Sequence, residues 1–102
     1  MNFGLDDKTI GLVKGVFIKY PDVESVTLYG SRATGTFKQG SDIDLTIKGT
    51  NIDISVLSRI SNELDDLPIP YTLDLSSFSD IDNPDLLNHI KRFGIIFYKK
   101  GE

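Results

Sequence analysis

The spacing of apolar positions changes repeatedly along this chain, and each change marks an element. Ile10, Val13 and Phe17 recur at helical intervals behind Asp6 and Asp7, either of which can cap, so a helix is predicted through about Lys19. Gly11 and Gly15 weaken it, so packing rather than propensity must hold it, and Tyr20-Pro21 ends it. Two strands are predicted next, at Ser25–Tyr29 and Asp42–Lys48. Leu57, Ile60, Leu64 and Leu67 return to helical spacing behind a cap at Asp53 or Ser55, and Pro68 and Pro70 close that helix. A third strand is expected around Tyr71–Leu75. Asp82 or Asn83 with Pro84 opens a short helix that Gly94 stops, and Ile95–Tyr98 reads as a final strand before a charged tail.

Helix, strand, strand, helix, strand, helix, strand is the order of an α/β (α+β) protein with one mixed, four-stranded sheet covered by helices. The spacer between the first two strands is too short for a full crossover helix, so that pair is expected to be antiparallel. With no linker, repeat or low-complexity stretch, residues 1–102 are expected to form a single domain.

Chemistry concentrates in two short segments: Gly30-Ser31-Arg32 after the first strand, and Asp42-Ile43-Asp44 at the start of the second. Successive strand side chains point to opposite faces, so Asp42 and Asp44 share a face, about 6.5–7 Å apart along the backbone. Ile43 and Leu45 point the other way and hold the strand down. Facing carboxylates repel, and a divalent cation relieves the conflict. Magnesium suits such a pair because it takes oxygen ligands and leaves positions open for phosphates. Two cations bracketed by these acids are also within reach. Gly30 tolerates positive φ and a close ligand, and a helical turn from Ser31 to Gly35 would aim N–H groups at a phosphate. The Ser31 hydroxyl could add a hydrogen bond and Arg32 a charged fork. Together the segments predict a site for a nucleoside triphosphate bound through magnesium.

Composition narrows the remainder. Apolar content of 39% with a quarter of residues charged describes a soluble globular chain. Cysteine is absent, which excludes disulfides, thiolate catalysis and Cys-based zinc sites, and fits a reducing cytoplasm. The single histidine, His89, cannot build a histidine-rich metal site and is expected as an exposed helix residue. A net charge of −4 without a basic run argues against long nucleic acid as a ligand. No apolar run approaches a membrane span, and the N-terminus lacks a signal pattern.

Gly30-Ser31-Arg32-Ala33-x-Gly35, the spacer, and Ser41-Asp42-Ile43-Asp44-Leu45 resemble the signature of DNA polymerase β-like nucleotidyltransferases. The small size resembles the minimal nucleotidyltransferases, often encoded beside a HEPN-domain protein in toxin–antitoxin pairs. The resemblance implies a third acid on a later apolar strand, a short helix and a final strand. Asp74, between Leu73 and Leu75, is then the candidate third carboxylate, binding a second metal or drawing a proton from an acceptor hydroxyl. Thr34 stands where many relatives carry a basic residue. The resemblance further implies Mg2+ and ATP, or another NTP, as donor. Transfer to a hydroxyl of a HEPN-type toxin is the expected reaction. The alternatives are transfer to a small molecule or an RNA end, and an antitoxin that only binds. Larger relatives grip the acceptor with an added helical domain, so the acceptor site here is expected from a partner or a second copy.

Overall fold

The computed structural model describes residues 3–101. Helix α1 (Asp7–Ile18) is capped by Asp6, whose carboxylate accepts from the Thr9 N–H at 2.8 Å. Strand β1 (Val23–Tyr29) leads into the single-turn helix α2 (Ser31–Thr34), closed by Gly35 in the left-handed region. Strand β2 (Ile43–Gly49) follows, then helix α3 (Ile54–Asp65), whose cap is Asp53 rather than Ser55, accepting from the Val56 N–H at 2.9 Å. Strand β3 (Leu73–Ser77) runs into a 3₁₀ turn at Phe78–Asp80 that the sequence pattern had not marked. Helix α4 (Pro84–Phe93) is capped by Asn83, has Pro84 at its start and stops at Gly94, and strand β4 (Ile95–Lys99) follows.

The sheet order is β3-β2-β1-β4, with β1 antiparallel to both β2 and β4, and β2 parallel to β3. The expected mixed, largely antiparallel four-stranded sheet is therefore present, and the β1–β2 pair is antiparallel as the short spacer required. Alternation sorts its two faces. Val26, Leu28, Ile43, Leu45, Ile47 and Leu73 join Val13, Val16 and Phe17 of α1 and Ile60 and Leu64 of α3 in one core. A register shift between Val26 and Thr27 opposite β4 lets Phe97 join that core while Tyr98 stacks on Phe17, ring centres 6.0 Å apart. Thus α1 and α3 cover one face, and α1 is held by packing despite Gly11 and Gly15, where an added Cβ would meet nothing within 4 Å.

The opposite face carries Thr27, Tyr29, Asp44, Thr46, Asp74 and Ser76, and α4 lies against its β1 side. Gly94 makes that approach possible, since a Cβ there would meet the Ile90 carbonyl and come within 2.8 Å of Thr27 Cγ2. Several boundaries differ from expectation: β1 begins earlier, at Val23, and β2 runs from Ile43 to Gly49, which leaves Asp42 outside it. The third strand begins at Leu73, because Tyr71 turns its ring to the Arg32 guanidinium. Helix α3 ends at Asp65, leaving Leu67 beyond it but still packed on the core.

Candidate active site

Two of the three predicted acids face each other across the β2–β3 ladder. Asp44 and Asp74 are register partners in the parallel pair, so their side chains leave the sheet on the same face. Asp42 lies one residue before β2, in exposed backbone rather than in the ladder. It remains close enough to raise the Asp44 pKa by charge repulsion. Burial is the main cause of that rise, followed by the charge of Asp74 and then of Asp42, with His89 opposing them. Asp44 is half-buried whereas Asp42 and Asp74 are exposed, so one acid is strained and two meet solvent.

Gly30 sits at the end of β1, where the ladder pairs Tyr29 with Asp44. Its backbone has φ 78° and ψ −157°, a region closed to residues with side chains. The Asp44 carboxylate also packs directly over its Cα. A Cβ at position 30 would overlap Asp44 Oδ2 and come within 3.2 Å of Asp44 Cγ. The glycine therefore allows both the turn and the seat of the acid. Ser31 begins α2, and the Ala33 and Thr34 N–H groups donate to the Gly30 carbonyl at 3.1 and 3.2 Å.

Arg32 departs from the expected phosphate fork. It is buried, 3% exposed, with its guanidinium 5.0 Å from the ring centres of both Phe37 and Tyr71. Nε and Nη2 donate to the Ser41 carbonyl at 3.2 and 2.9 Å, and Nη1 donates to the Phe3 carbonyl at 2.9 Å. These bonds tie α2 to the residue just before Asp42, so Arg32 sets the loop that carries the first acid. The planar fork expected to meet phosphate meets backbone carbonyls instead.

Two neighbours of the site were not legible as such. Tyr29 is buried beside the acids, and burial, with the charges of Asp74 and Asp44, pushes its phenol pKa up. The Ser76 hydroxyl opposes that shift, yet its geometry falls short of a hydrogen bond, and Ser76 Oγ is buried without a partner. His89 is half-buried, not exposed as expected, and its Nε2 accepts the Gly30 N–H at 2.9 Å. The sequence signal for Tyr29 was its strand parity with Thr27, opposite to Val26 and Leu28. His89, 59 residues from Gly30, gave no local signal.

Among the described residues, no group of three or more His, Cys, Asp or Glu side chains is arranged to hold a metal ion. Magnesium needs only one or two carboxylates beside substrate phosphates rather than an all-protein cage. The donor set fits on this basis: hard oxygens, and an Asp44 whose ionisation is opposed by the neighbouring acids. A groove of about 480 Å³ lies further along the same face, between α4 and the sheet. Thr27, Lys48, Phe78, Leu87, Ile90 and Ile96 are among its walls, but none of the three acids is.

The polymerase β nucleotidyltransferase pattern matches residues 12–102. The chain belongs to this family. Solved structures carry the same fold. A toxin–antitoxin structure with AMP-PNP is 18% identical, with a TM-score of 0.70 over 95% of this chain and 76% of that one. A complex of tri-AMPylated Shewanella oneidensis HEPN toxin with its MNT antitoxin is 16% identical, with a TM-score of 0.60 over 89% and 73%. The MntA–HepT toxin–antitoxin structure is 13% identical, with a TM-score of 0.68 over 93% and 74%. No curated protein matches the chain. Among the described residues no helix is long and apolar enough to cross a membrane.

Proposed function

We propose that this chain is a single-domain, magnesium-dependent nucleotidyltransferase. It moves a nucleoside monophosphate, AMP from ATP in the first instance, onto a hydroxyl of a HEPN-type toxin, and so acts as its antitoxin in the cytoplasm. One observation carries the reading: Asp44 is paired in register with Asp74 and packed against Gly30, so acids and turn share one corner of the sheet. Similarity to complexes described with AMP-PNP and with an AMPylated HEPN toxin supports the choice of donor and partner.

Asp42 and Asp44 would hold the cation, with Asp74 available to a second one. Bound there, magnesium would neutralise phosphate charge and leave Asp44 free to ionise. The Gly30-Ser31 turn would receive the phosphate chain, with the Ser31 hydroxyl as one donor. The acceptor oxygen forms a bond to the α-phosphorus as the bond to the bridging oxygen breaks and pyrophosphate leaves. Asp74, exposed to an incoming partner, takes the hydroxyl proton.

The test is the mass of the HEPN partner after incubation with this protein, ATP and magnesium. Increments of one nucleoside monophosphate, absent with Asp42→Asn or Asp44→Asn, are expected. A partner that stays unmodified but is silenced in a tight complex would refute transfer and establish neutralisation by binding.

A further inference from the structure

A backbone donor withdrawn from most of the solvent needs a partner, and the part-buried Gly30 N–H finds one far along the chain. His89 Nε2 accepts it at 2.9 Å, which requires an unprotonated Nε2. The ring does not reach this position by chance of a free rotamer. It meets Tyr29 edge-on, centres 6.3 Å apart at 75°, and lies 5.4 Å from the Phe93 ring one helical turn on. Its helix is pinned in turn by buried Ile90 and by the contact of Gly94 with Thr27. The Tyr29–Gly30 peptide is thus gripped from α4 on one side and from the ladder with Asp44 on the other.

We propose that His89 is a positioning residue of the nucleotide site. Its imidazole fixes the orientation of the Gly30 peptide, and with it the surface on which the Asp44 carboxylate packs and an incoming phosphate settles. The proposal rests on the nucleotidyltransferase reading above. A glycine at φ 78° has wide conformational freedom, and one hydrogen bond donated by its N–H to a packed ring removes much of it where the site needs a single geometry.

The test compares wild type with His89→Leu, which keeps bulk but accepts nothing, and His89→Gln, which restores an acceptor at similar reach. Magnesium–ATP affinity is read by calorimetry, and Gly30 amide exchange by NMR. The leucine variant is expected to bind ATP roughly three- to tenfold more weakly, the scale of one lost hydrogen bond, with faster Gly30 exchange. The glutamine variant should recover both. If the leucine variant does not fold, His89→Asn, polar but too short to reach, takes its place. Wild-type affinity and exchange in the leucine or asparagine variant overturn the proposal, as does tighter ATP binding, which would make the imidazole a mere obstacle. Wild-type protein with no affinity for magnesium–ATP overturns this proposal and the proposed function together.

Discussion

Replacing Gly30 by Ala should cost the fold in two separable ways. The first is conformational: φ 78°, ψ −157° lies in a region essentially reserved for glycine, worth about 1–3 kcal/mol to an L-residue. The second is steric, because the new Cβ would overlap Asp44 Oδ2 and force that side chain off its rotamer, for roughly 0.5–1.5 kcal/mol. Their sum is about 1.5–4.5 kcal/mol, which at ~4–8 °C per kcal/mol for a domain of this size is a large fall in Tm. Only the steric part depends on Asp44. In an Asp44→Ala background the nearest atom left to the new Cβ is the 44 Cβ at 3.5 Å, an ordinary contact, so Gly30→Ala should be milder there by ~0.5–1.5 kcal/mol. Urea unfolding of wild type, both single variants and the double variant gives this coupling directly, provided the m-values agree. Gly35→Ala is the control. Its φ is also positive, at 83°, but an added Cβ would meet nothing within 4 Å, so it should cost about 1–2 kcal/mol with no coupling to Asp44. Additivity of Gly30→Ala and Asp44→Ala within about 0.5 kcal/mol would refute the packing of the acid on the glycine.

Two further outcomes follow from the site's electrostatics and from Arg32. Burial, then Asp74 and Asp42, hold the Asp44 pKa above its ordinary value. The native state therefore binds the proton more tightly than the unfolded chain, and Asp44's contribution to stability is fully present below the ordinary value and lost as pH rises through the native one. Asp44→Asn should accordingly raise Tm at pH 7 by scanning calorimetry, with the gain shrinking as pH falls toward 4; a lower Tm at pH 7 would contradict the strained carboxylate. Arg32→Lys should lose the planar fork onto the Ser41 and Phe3 carbonyls and part of the stacking between Phe37 and Tyr71, lowering stability by about 2–4 kcal/mol in urea. Unchanged stability with weaker ATP binding would instead return Arg32 to the phosphate.

Element types were readable because local chemistry and tertiary demand agree in this chain. Asp6, Asp53 and Asn83 cap the helices they precede, Pro84 and Gly94 bracket α4, and the alternation Ile43, Leu45, Ile47 against Asp44, Thr46 assigns each strand residue to a face. The motif order carried the family for the same reason, since Gly30-Ser31 and Asp42-Ile43-Asp44 are short and contiguous. Asp74 is different. Its parity was local, but its place opposite Asp44 required the β2–β3 pairing, which α3 brings about from a distance. The burial of Arg32 was not legible, because a buried guanidinium and an exposed one are identical in sequence; only Ser41, Phe3, Phe37 and Tyr71 converging on it decide which it is. His89 is the extreme case: its role is a hydrogen bond to a backbone N–H, and a backbone group leaves no mark in the sequence of its partner. Period and caps are written residue by residue, whereas long-range partners exist only once the sheet has closed.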